Sequence, residues 1–141
     1  MLNPEWFGNN EEVCRLYEQF AGISHVWDDC IDQDKPIDRQ QISEAFKIML
    51  VDLPANDFYR EHFKEIQPIL AIAIAGYESS NRMHDSGDEQ LVEIAHGLRY
   101  TIGHLFVYFS MQLIGYAKAL EFMPEMWRNM MPERLSDYRG K

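Results

Sequence analysis

The sequence has few cysteines and few basic residues, and it has no long uninterrupted hydrophobic run. Only 2 of its 141 residues are cysteine, and a chain of this length can bury enough apolar surface to fold without disulfide bonds. The longest apolar run, 68–76, is much shorter than the roughly 20 residues that a helix needs to cross a bilayer. The N-terminus lacks the basic start and apolar run of a signal peptide. We therefore expect a protein of a reducing cytoplasm that does not enter a membrane.

The charge balance is strongly acidic, with 13 basic against 23 acidic residues and a formal net charge of −10. Nonspecific binding to nucleic acid needs many lysine and arginine contacts with phosphates. Anionic membrane surfaces likewise attract basic segments. We therefore expect neither nucleic acid nor membrane as a partner. An acidic protein that binds a phosphorylated molecule usually needs a metal ion to supply positive charge.

Apolar residues recur at steps of three and four along most of the chain, which predicts helices, and no segment alternates long enough to predict a strand. The sequence predicts an all-α protein: one domain over 1–141, a bundle of four main helices plus a short C-terminal helix, and a polar tail at about 133–141. The four main helices are expected at 10–32, 38–52, 57–82 and 88–121, and the short one at 125–131.

Two expectations concern which surfaces the helices bury. The centre of the third helix is apolar nearly all round, so it is expected to be the most buried element. The second helix is expected to pack through one inner face: Ile42, Ala45, Phe46, Met49 and Leu50. Cys14 and Cys30 fall on the first helix, about 24 Å of rise apart, which excludes an intrachain disulfide.

A cluster of acidic residues, Asp28, Asp29 and Asp32, ends the first helix. Asp28 and Asp32 are four residues apart, so their like charges repel unless a cation lies between them. Mg²⁺ or Mn²⁺ prefers oxygen ligands and would relieve that repulsion. The order Asp-Asp-x-x-Asp is similar to the pattern by which isoprenoid synthases hold Mg²⁺, although the chain is far too short for their fold. The plainer alternative is a solvated acidic helix end.

A second polar group lies on the predicted third and fourth helices. Glu78 follows an apolar segment, and His96 and Arg99 lie three residues apart within another. If the first, third and fourth helices are neighbours, these groups meet the acidic cluster. The candidate metal ligands are then Asp28, Asp32 and Glu78; His25 or His96 would be a further ligand or a general acid/base, and Arg99 would hold an anionic group.

Plainer interpretations exist for each member of this second group. His96 can be a hydrogen-bonded core histidine, and Glu78 can face solvent. Arg99 can pair with Asp28 or Glu78 without any substrate. The aromatic residues of the predicted fourth helix are expected in the core or, if exposed, at a homodimer surface.

Four segments of the chain resemble a family of small, uncharacterised bacteriophage proteins with an H-x-W-D-D-x-x-D motif: 24–36, 53–56, 77–78 and 94–100. The resemblance implies a phage origin and a role in the cytoplasm of the infected bacterium, but no particular activity. The leading hypothesis is a divalent-metal-dependent enzyme acting on a small phosphorylated molecule, such as a nucleotide. The alternative is a non-catalytic phage accessory protein that binds and modulates a bacterial host protein.

Overall fold

A computed structural model describes residues 1–33 and 35–140. Asp34, between the first two predicted helices, and Lys141, in the predicted polar tail, lie outside the described residues. Within those residues the chain forms helices and loops and no strand, which confirms the all-α prediction. The helices are α1 (Glu11–Asp32), α2 (Arg39–Lys47), α3 (Leu53–Ala55), α4 (Asp57–Glu61), α5 (Phe63–His84), α6 (Glu89–Leu98), α7 (Gly103–Ile114), α8 (Tyr116–Met130) and α9 (Leu135–Arg139).

The chain divides into two compact units. The small unit is Asn9–Phe63 and carries α1 to α4. The large unit is Met1–Gly8 together with Lys64–Lys141, and it carries α6 to α9 with nearly all of α5. The expectation of a single domain stays a prediction. Across the described residues, the helices are all too short or too polar to span a membrane.

The small unit is built on α1, which matches the predicted first helix. The Asn10 side chain caps its start by accepting a hydrogen bond from the Val13 N–H (3.0 Å), and the helix ends at Gln33 in a left-handed conformation (φ 55°). Its buried face packs against α2 and α4: Val13, Leu16, Tyr17 and Phe20. Both cysteines lie on α1 and are free, as expected.

The second helix begins with a capping box between Asp38 and Gln41 and continues into one π-helical turn, Ile48–Asp52. The prediction of its inner face is wrong except at Ala45, which is buried. The remaining members of that face are exposed: Ile42, Phe46, Met49 and Leu50. The segment turns the small side chain of Ala45 inward, so its large apolar side chains lie on the outer surface.

The large unit has its core between α7, α8 and a 3₁₀ turn at Pro4–Phe7. Two aromatic residues of that turn, Trp6 and Phe7, are fully buried. The Trp6 indole N–H donates to Glu125 Oε2 (2.9 Å), and the Ser110 hydroxyl donates to the Trp6 carbonyl (2.7 Å). These bonds satisfy polar groups that burial would otherwise leave unpaired.

The long predicted helices are interrupted, so the expected four main helices with a short fifth are not confirmed. The third predicted helix breaks at His62, whereas Pro68 lies inside α5 without ending it. The fourth is divided into α6, α7 and the first part of α8. The expectation that α5 is the most buried element is wrong, because its Ile72 and Ile74 side chains are more than half exposed.

Candidate functional site

The acidic cluster lies in the last two turns of α1, in the small unit. Asp28, Asp29 and Asp32 are half-buried, and His25 is exposed. The last turn of α1 contains no basic residue. No positive side chain of that turn therefore offsets the unfavourable interaction of these carboxylates with the negative end of the helix dipole. Asp28 and Asp32 nevertheless both have interaction partners.

Arg99 lies just after α6, in the large unit, and is fixed by polar and aromatic contacts. Its Nη1 donates to Asn81 Oδ1 (2.9 Å) and its Nη2 donates to the Tyr77 hydroxyl (3.3 Å). The guanidinium carbon lies 4.7 Å from the Tyr77 ring centre and 5.5 Å from that of Tyr138. A guanidinium held over two rings gains cation–π stabilisation, and its position is defined without a bound anion. Glu78 is exposed on α5.

His96 is half-buried and holds the C-terminal segment. Its Nε2 donates to the Glu133 carbonyl (2.8 Å), and its ring centre lies 5.3 Å from that of Tyr138. His84 acts in the same way, because its Nε2 donates to the Tyr138 carbonyl (3.3 Å). These contacts fit the plainer interpretation of His96 as a hydrogen-bonded structural histidine. Neither His84 nor Tyr138 was predicted from the sequence, because Tyr138 falls in the segment predicted to be a polar tail.

The predicted metal site therefore draws on residues of both units: His25, Asp28 and Asp32 belong to the small unit, and Glu78, His96 and Arg99 to the large one. Among residues 1–33 and 35–140, no three histidine, cysteine or acidic side chains are grouped so as to hold a metal ion. The roles assigned to these six residues, and the Mg²⁺ or Mn²⁺ ion, stay predictions.

The most distinctive surface of the small unit is apolar. We call it the α2 face, and it consists of Ile42, Phe46, Met49, Leu50 and Val51. Leu50 is 71% exposed, Val51 56% and Phe46 55%. The exposed parts of the five side chains amount to roughly 500 Å², which lies within the range of about 300–600 Å² for the largest apolar patch on a typical monomer. Such patches are often functional.

An open groove of about 380 Å³ lies between α1 and α2. It shares no lining residue with the α2 face and contains none of the six predicted site residues. Its apolar lining comes from both helices: Gly22, Val26, Ala45 and Ile48. Its polar lining comes from the first two turns of α2 and the cap before them: Asp38, Gln40, Gln41 and Glu44.

The shifted pKa values of the small unit do not indicate an activated nucleophile. Burial, followed by the nearby Glu18 and Glu11 carboxylates, raises the pKa of the Cys14 thiol. Burial also raises the pKa of Tyr17 to about 12. Both changes keep the group protonated, whereas a reactive thiol needs a lowered pKa.

Comparison with known proteins gives no match: no family model, no curated protein and no solved structure is similar to this chain.

Proposed function

We propose that the protein is a non-catalytic phage accessory protein that binds and modulates a bacterial host protein in the host cytoplasm, and that the α2 face is its binding surface. The observation that carries this proposal is the exposure of five large apolar side chains on one short segment. Ile42, Phe46 and Leu50 follow one another at steps of four, the spacing by which a helix offers an apolar face to a partner.

The α2 face is large enough to supply a substantial share of the free energy that specific binding needs. At about 25 cal/mol per Å², burying roughly 500 Å² contributes on the order of 10 kcal/mol before costs are subtracted. Association costs an estimated 4–15 kcal/mol in lost translational and rotational freedom. The face therefore offsets most of the association cost, and polar contacts at its edge supply specificity.

Photo-crosslinking in bacterial cells tests this proposal. A benzophenone amino acid would replace Phe46 or, separately, Leu50, with Tyr116 of the large unit as the control because it is also exposed (68%). We expect positions 46 and 50 to capture the same host protein and position 116 to capture none of it. That protein, once purified, should bind the Leu50→Asp variant at least tenfold more weakly than the unsubstituted chain. Identical adducts at all three positions would contradict the proposal.

A metal-dependent enzyme is the second candidate, supported by the three half-buried aspartates at the end of α1. In it, Asp28 and Asp32 bind Mg²⁺ or Mn²⁺, and a small phosphorylated molecule is the substrate. A ligand that binds only the folded state raises thermal stability. This candidate predicts that Mn²⁺ raises the melting temperature, that Asp28→Asn abolishes the increase, and that Asp85→Asn on an exposed turn does not. An unchanged melting temperature at millimolar Mn²⁺ would rule it out.

A further inference from the structure

We infer that the groove between α1 and α2 receives a large apolar side chain that is flanked by lysine or arginine on the partner protein. This inference rests on the proposed function, because it specifies the chemistry of the partner segment that meets the small unit. The volume of about 380 Å³ lies within the range of roughly 300–1,000 Å³ that is typical of small-molecule sites. The lining combines apolar residues with polar ones, which suits one apolar anchor surrounded by polar or charged neighbours.

The charge of the small unit determines the sign of the flanking residues. Asn9–Phe63 contains twelve acidic and five basic residues, a net charge of −7 out of the −10 of the whole chain. At the groove itself, Asp38 and Glu44 supply carboxylates, and both residues are exposed. A basic segment is attracted by this field, which speeds association and selects against acidic partners.

The same charge argues against a second copy of this chain as the occupant. Two small units brought face to face would each present a net charge of −7. Like charges placed opposite each other in an interface cost several kcal/mol. A homodimer through this surface is therefore disfavoured at low ionic strength, while a basic partner is favoured under the same conditions.

Gly22 keeps the groove open on the α1 side. It lies in the interior of a 22-residue helix, where glycine costs about 1 kcal/mol relative to alanine. A Cβ built at Gly22 meets no atom within 4 Å, so neither packing nor backbone conformation requires glycine there. A side chain at this position would instead project into space next to the groove lining. Gly22→Leu is therefore expected to obstruct the groove while stabilising α1.

The test uses the full-length protein and fluorescein-labelled peptides of about twelve residues, with binding measured by fluorescence anisotropy. The first peptide carries one tryptophan between arginines; the second replaces the tryptophan with alanine, and the third replaces the arginines with glutamates. We expect the first peptide to bind at least tenfold more tightly than the other two. Gly22→Leu should weaken its binding at least tenfold. Gly97→Leu is the matched control, because Gly97 is also a helical glycine with open space around its Cβ.

Five results would overturn the inference. If the alanine peptide bound as tightly as the tryptophan peptide, binding would be simple charge attraction. If the glutamate peptide bound as tightly, charge would have no part in recognition. Equal affinity of Gly22→Leu and Gly97→Leu would place the site elsewhere. A dimer in sedimentation that Gly22→Leu dissociates would identify a second copy as the occupant. If crosslinks at positions 46 and 50 persist while no peptide binds, the proposed function stands and only this inference fails.

Discussion

Gly103 provides the sharpest test of the packing in the large unit. It is the first residue of α7, and a Cβ built there lies 2.6 and 2.9 Å from two ring carbons of Trp127. The Met130 methyl group is 3.2 Å away. Met130 can move, but the Trp127 ring is rigid and lies 5.0 Å, centre to centre, from the ring of His104. Gly103→Ala therefore forces α7 and α8 apart.

The expected cost follows from two opposing effects. Overpacking a close-packed interior costs about 1–3 kcal/mol. Replacing glycine with alanine gains at most about 1 kcal/mol in a helix interior, and less at a first helical position. We expect the free energy of unfolding to fall by about 1–2 kcal/mol, which for a chain of this size lowers the melting temperature by roughly 3–8 °C.

Urea denaturation followed by circular dichroism measures the change, and Gly97→Ala in the same unit serves as the control. Its new Cβ meets no atom within 4 Å, so it should leave stability unchanged or raise it by up to about 1 kcal/mol. If Gly103→Ala were as stable as Gly97→Ala, the close approach of Trp127 to the start of α7 would be refuted.

Two further predictions concern titratable groups of α1. Iodoacetamide should modify Cys30 before Cys14, because Cys30 is exposed whereas burial and two nearby glutamates raise the pKa of Cys14; equal rates, measured by mass spectrometry of the native protein, would contradict this. Burial raises the pKa of Tyr17 from its ordinary value of 10 to about 12 in the folded protein. Between pH 10 and pH 12, unfolding therefore releases the Tyr17 proton. Stability should therefore decline as the pH rises through that interval. The stability of the Tyr17→Phe variant should decline less between denaturation measured at pH 9 and at pH 11. An equal decline in both proteins would contradict the shift.

The sequence predicted the existence and type of the helices better than their boundaries. The first helix was predicted within one residue, because Asn10 caps its start and apolar residues recur along its whole length. The break at His62 was missed because no proline or glycine marks it, while Pro68, which does carry such a signal, lies inside α5. A helix can retain a proline when its neighbours compensate for the lost hydrogen bond, and periodicity alone does not register that.

The candidate site was less accessible to sequence reasoning than the helices were. Spacing alone placed Asp28 and Asp32 on one helix, but it does not say which partners their carboxylates meet. It also gave no indication that His96 would donate to the Glu133 carbonyl. Nor did it indicate that the Arg99 guanidinium would lie over the Tyr138 ring. Those contacts join segments more than 35 residues apart, and only the tertiary structure brings them together.

The α2 face shows why an amphipathic pattern does not by itself reveal a core. Periodicity identifies an apolar surface, and burial requires a second surface to cover it. Along α1 the two coincide, because Val13, Leu16 and Phe20 are covered. Along the second helix they do not, because Ala45 is covered while Phe46 and Leu50 remain in water. Folding alone gains little from large side chains left in water, whereas binding gains from each one that a partner covers. The part of the apolar pattern that the fold leaves exposed is therefore the part that a binding function would use.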